Sequence, residues 1–113
     1  AYAAGELKHG TISLITDNVP VVAVATQSNL FKKTISNIKE VTTRGAKVLL
    51  IVNESFEVDE TIAKYVLRLP STNEIFMPLL GVIPLQLFAY YTSVLRGCDV
   101  DKPRNLAKSV TVE

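Results

Sequence analysis

Apolar positions along the chain fall into short continuous runs that alternate with longer stretches of helical period. Val19–Ala25 (VPVVAVA) is an uninterrupted, β-branched run bounded by polar residues, the pattern of a strand buried on both faces in a parallel sheet. Pro20 suits its beginning, where a missing N–H matters least. Leu30–Arg44 repeats Phe31, Ile35, Ile38 and Val41 at spacings of three and four, with Lys32, Lys33, Asn37, Lys39 and Glu40 elsewhere. That spacing predicts an amphipathic helix, with Ser28-Asn29 as its N-cap and Gly45 as its stop. Lys47–Val52 (KVLLIV) is a second buried strand, and strand, helix and strand with short connections describe a right-handed βαβ crossover.

The remaining pattern extends this scheme in both directions. Ala1–His9 favours a helix despite Gly5, with Gly10 as its stop, and Asp17-Asn18 is a turn. NESFEVDE is a polar loop with a little helix in ETIAK, and Tyr65–Leu69 (YVLRL) is a third strand ending at Pro70. Glu74–Arg96 predicts a long apolar helix closed by Gly97, with Pro78 in its first turn and Pro84 kinking or dividing it. No apolar run is read as reaching the ~20 residues of a spanning helix. Ile75–Leu95, interrupted by Pro78, Gly81, Pro84, Gln86, Thr92 and Ser93, is predicted to be buried in a protein core. Asp99–Glu113 is predicted to be an ordered extension without a clean period.

Three parallel strands fall short of the roughly five to six of an average sheet, so the edges need partners from outside this stretch. The chain also lacks an initiator Met and opens on AYAAGELKHG, which reads as the inside of a structural element. A fragment of a doubly wound α/β domain is expected.

Composition narrows the chemistry. At 48% hydrophobic and 20% charged residues the chain is globular in type, and a net charge of +1 gives no electrostatic case for nucleic acid or an anionic membrane. The single Cys98 cannot close an internal disulfide and points to a reducing, cytoplasmic setting. The five glycines form neither a dinucleotide fingerprint nor a phosphate loop, there is no G-x-S-x-G elbow, and one His with one Cys builds no metal site.

Three segments carry a more specific signal: AGELKHG at residues 4–10, PLQLFAYY at 84–91 and DVDKPRNLAKSVTVE at 99–113. They resemble the corresponding segments of the glucosamine-6-phosphate synthase family, whose members join an N-terminal glutaminase domain to two sugar isomerase (SIS) subdomains. The resemblance implies a three-layer αβα sandwich with a mainly parallel sheet of SIS type. Residues 1–98 would be the C-terminal portion of the second subdomain, and residues 99–113 an active-site tail. It also implies synthesis of glucosamine 6-phosphate from fructose 6-phosphate and glutamine-derived ammonia, with no metal, nucleotide or organic cofactor.

The resemblance assigns roles residue by residue. His9, in E-L-K-H-G, matches a histidine that enters the neighbouring subunit's active site and helps to open the sugar ring. This implies a homodimer and suits an imidazole, whose unperturbed pKa of ~6.5 permits proton exchange near neutrality. On the residues alone, a helix-end histidine held by carbonyls and the helix dipole is the stronger reading; the motif reverses it. Lys108, in N-L-A-K-S-V, matches a lysine that forms a Schiff base with the sugar carbonyl, against the bland alternative of a solvated tail lysine. Lys102 and Arg104 are cations placed to assist its deprotonation, with Glu113 opposing them. Ala107 matches a sugar-contacting residue that also borders an ammonia channel, and Val110 a channel wall; both serve equally as packing residues. The proton-shuttling glutamate, its lysine partner, the phosphate-holding loops and the glutaminase cysteine would all lie upstream of Ala1. Glu6 is read as a helix-surface or interface residue. A fructosamine-phosphate deglycase and a non-catalytic phosphosugar-binding regulatory domain are the alternatives.

Overall fold

The computed structural model describes residues 1–102. A parallel three-stranded sheet, β1 (Pro20–Ala25), β2 (Lys47–Asn53) and β3 (Tyr65–Leu69), runs in the order β1-β2-β3. Val22 lies opposite Leu49 and Ile51 opposite Leu67, so β2 is hydrogen-bonded on both sides while β1 and β3 are edges. Helix α1 (Ser28–Thr43) connects β1 to β2, and helix α2 (Met77–Leu95) follows β3. Three 3-10 helices complete the described part, at Ala4–His9, Thr11–Leu14 and Glu60–Ile62.

The period-2 alternation of β2 divides the core between the two faces of the sheet. Val48, Leu50 and Val52 pack with Ile38 and Val41 of α1 and with Ile62. Ile51 points the other way, to Leu69, Met77, Val22 and Leu80. Leu50, Ile51 and Val52 are essentially closed to solvent, each worth about 1.5–3 kcal/mol of hydrophobic stabilisation against full exposure. Phe31 of α1 reaches the loop after β2, where its ring centroid lies 4.7 Å from that of Phe56.

Several expectations need correction. Val19–Ala25 was expected to be buried on both faces, but β1 is an edge and Val24 is exposed. The first helix is a six-residue 3-10 helix, the tighter form common in short segments, and it stops at Gly10 with φ 138°. Helix α1 begins at Ser28 with Gln27 at the N-cap, so Ser28-Asn29 is not the cap. Its terminating Gly45 has φ 89°, and a Cβ there would collide with Asp17, whose Cα is 2.9 Å away.

Helix α2 is not divided by Pro84, which removes one main-chain bond while its neighbours hold the turn. It ends in a Schellman motif, with the Gly97 N–H donating to the Val94 carbonyl and the Cys98 N–H to the Ser93 carbonyl, both at 2.9 Å. With 19 residues and none charged, it is long and apolar enough to cross a membrane by length and composition, contrary to the sequence-based expectation. Nor is it buried: Met77 and Gly81 alone in it are closed off, while Ile83, Leu87, Phe88, Tyr91 and Leu95 are exposed. The chain divides into two compact units, Ala1–Gly81 and Val82–Glu113, with the boundary inside α2.

Candidate functional site

His9 occupies the last position of the first 3-10 helix. Lys8 fixes that helix on α1 through an ion pair of 2.7 Å with Glu40. His9 itself is 73% exposed at its side chain, with Nδ1 3.4 Å from the Glu6 carboxylate. The imidazole is therefore presented outward from a short, tethered element. Glu6, expected to be a surface residue, is indeed exposed, and it faces the His9 ring. A shallow groove of about 460 Å³ lies between the small residues Ala3, Ala4 and Gly5 and the α1 residues Leu30, Lys33 and Asn37.

A second polar cluster gathers at the carboxyl ends of the strands. Asn53, the last residue of β2, is 5% exposed, and its Oδ1 accepts three bonds: from the Ser55 N–H at 2.9 Å, the Ser55 hydroxyl at 2.8 Å and the Ser71 hydroxyl at 2.7 Å. Glu54 accepts the Ser71 N–H at 2.9 Å. Glu74 accepts the Ser28 N–H at 2.9 Å. Donation from the Ser28 hydroxyl, then from its backbone N–H, holds the Glu74 carboxyl below its ordinary 4.5. This cluster stitches the starts of α1 and of the β3–α2 loop to the end of β2. Sequence reading missed it. The available signal was that a polar residue follows each apolar run: Thr26 after β1, Asn53 in β2 and Ser71 after β3.

Lys108, Ala107 and Val110, together with Arg104 and Glu113, lie outside the described residues. The structure brings His9 together with Glu6 among the described residues. Among the described residues no group of three or more His, Cys, Asp or Glu side chains is placed to hold a metal ion. Asp99 Oδ1 accepts the N–H groups of Asp101 and Lys102, which turns the chain at the entry to the tail.

Comparison with known proteins adds what the geometry leaves open. The SIS domain family matches residues 1–96. Glutamine–fructose-6-phosphate aminotransferase [isomerizing] of Clostridium tetani is 60% identical over 113 residues, the whole of this chain and 19% of that protein. The protein of the same name from Thermus thermophilus is 52% identical over the same span. The C-terminal domain of glucosamine-fructose-6-phosphate aminotransferase from Francisella tularensis superposes with a TM-score of 0.78 at 38% identity, covering 88% of this chain and 28% of that one. The chain therefore spans about a fifth of the length of the curated relatives it matches.

Proposed function

The chain belongs to the SIS domain family, and on that premise we propose that it is the C-terminal part of a glutamine–fructose-6-phosphate aminotransferase. The carrying observation is identity of 60% across all 113 residues with a relative of that name. The parent enzyme joins glutamine-derived ammonia to fructose 6-phosphate and isomerises the product to glucosamine 6-phosphate, a step of amino-sugar biosynthesis in the cytoplasm. Residues 1–98 complete the second isomerase subdomain, and residues 99–113 reach the active site.

In this reading His9 moves the ring-opening proton. Its exposure on a tethered 3-10 helix supports action outside its own subunit, and hence a homodimer. Lys108 attacks the opened sugar's carbonyl carbon; carbinolamine formation and loss of water give the imine, which ammonia later displaces. Ala107 contacts the sugar, and Ala107 and Val110 wall the path from the parent's own glutaminase domain. The apolar surface of α2 supports the same reading, because a helix apolar all round belongs inside a larger domain.

The test is kinetic and uses the full-length parent. His9→Asn is expected to lower glucosamine 6-phosphate formation about 100- to 10,000-fold, the usual contribution of a positioned acid–base group. Glutamine hydrolysis should persist. Unchanged synthesis in both His9→Asn and Lys108→Ala would sink the assignment. The 113-residue chain alone is expected to have no synthase activity, and glucosamine 6-phosphate made by it would overturn that separate expectation.

A further inference from the structure

The element that carries His9 is a 3-10 helix, and that geometry has a consequence for the imidazole. With about three residues per turn, side chains at i and i+3 eclipse one another. Glu6 and His9 stand at that spacing on Ala4–His9, and the Glu6 Oε2 lies 3.4 Å from the His9 Nδ1. An exposed pair of this kind adds little stability, so its value lies in where it holds the ring. The surroundings leave Glu6 to this task. Lys8, on the same helix, is taken by Glu40 of α1 at 2.7 Å. The other element packed against this helix, Thr11–Leu14, carries no titratable side chain. Among the described residues His9 alone stands within ion-pair distance of Glu6.

We propose that Glu6 is a positioning residue for His9: its carboxylate accepts the Nδ1–H, fixes the ring's tautomer and orientation, and leaves Nε2 for the substrate. This deepens the function proposed above and rests on the role given there to His9. A carboxylate only accepts, so it selects the imidazole form with the proton on the facing nitrogen. Opening a sugar ring moves one proton. The anomeric hydroxyl gives it up as the carbonyl forms, and the ring oxygen gains it as its bond to that carbon breaks. Nε2 carries the proton between them, Nδ1 keeps its own, and Glu6 stays a carboxylate throughout. At 3.4 Å the pair is longer than a formed hydrogen bond, as is common in enzymes without substrate, where such contacts tighten on binding.

The test is a double-mutant cycle in the full-length parent. Glu6→Met keeps the side chain's length and helix preference but removes its oxygens. It is expected to lower kcat for glucosamine 6-phosphate formation about 10-fold, a part of what a positioned acid–base group supplies, with KM for fructose 6-phosphate little changed. Glu6→Gln, which keeps an acceptor oxygen, is expected to retain more of the activity. In a His9→Asn background Glu6→Met should cause no further loss, because Glu6 acts only through the imidazole. Persisting glutamine hydrolysis identifies folded variants, and Glu6→Ala replaces Glu6→Met, with the same expectation, if the latter does not fold. Native kcat in Glu6→Met overturns the proposal, as does Glu6→Gln falling as low as Glu6→Met, or an equal loss with and without His9. A large loss in His9→Asn with none in Glu6→Met removes this inference alone. No loss in His9→Asn removes the role proposed for His9, and this inference with it.

Discussion

Strand β2 and helix α2 are both built almost wholly from apolar residues, yet they end in opposite surroundings. In β2, Val48 and Leu50 through Val52 are closed off because α1 covers one face of the sheet and Met77 with Leu80 covers part of the other. From Val82 onward α2 has no buried residue, and Leu95 is 87% exposed. Apolar composition thus marks both for burial, but burial needs a partner, and in these residues only the strand has a full set. The strand belongs to a core the chain completes itself. Among the described residues the apolar surface of the helix has no cover, in a chain spanning about a fifth of the length of its relatives.

Mutation can test that contrast directly. Its strongest point is Leu50, with no exposed surface. Leu50→Ala is expected to cost about 2–5 kcal/mol, combining lost transfer free energy with the cavity left behind. For a domain of this size that means a melting temperature lower by at least about 8 °C in a thermal unfolding scan. A drop of a degree or two would show the β2 core to be as loosely held as the helix.

The next largest effect concerns the polar stitch at the carboxyl rim. Asn53→Ala removes an oxygen that accepts three hydrogen bonds and leaves the Ser55 N–H without that partner. About 1–3 kcal/mol is expected, measured as a shift in the denaturation midpoint with an unchanged slope. A neutral result would mean that water replaces the side chain without loss, and that β2 owes its rigidity to apolar packing alone.

Leu95→Lys should do least to folding, within about 0.5 kcal/mol, because the side chain is mostly in solvent. The same variant is expected to reduce self-association of the isolated chain, measured by light scattering, because it breaks an exposed apolar surface. Strong destabilisation of the monomer would contradict the contrast between strand and helix.

The alternation of short apolar runs and helical period was enough to identify three strands, a parallel sheet and two long helices, because burial on a sheet or a helix leaves a local period in the residues themselves. The end of β3 at Pro70 and the stop of α1 at Gly45 were legible because each rests on the backbone of one residue: proline's fixed φ and missing N–H, and glycine's access to positive φ. The motifs around His9 and Lys108 were legible as a resemblance, since each lies within a few consecutive positions. What the sequence could not show is what meets across space. The cap of α1 comes from Glu74 and not from Ser28-Asn29, because a carboxylate 46 residues away reaches the Ser28 N–H. The exposure of β1 follows from its place at the edge, not from its composition. Hydrophobic patterning records that a surface must be covered; only the tertiary structure decides which partner covers it.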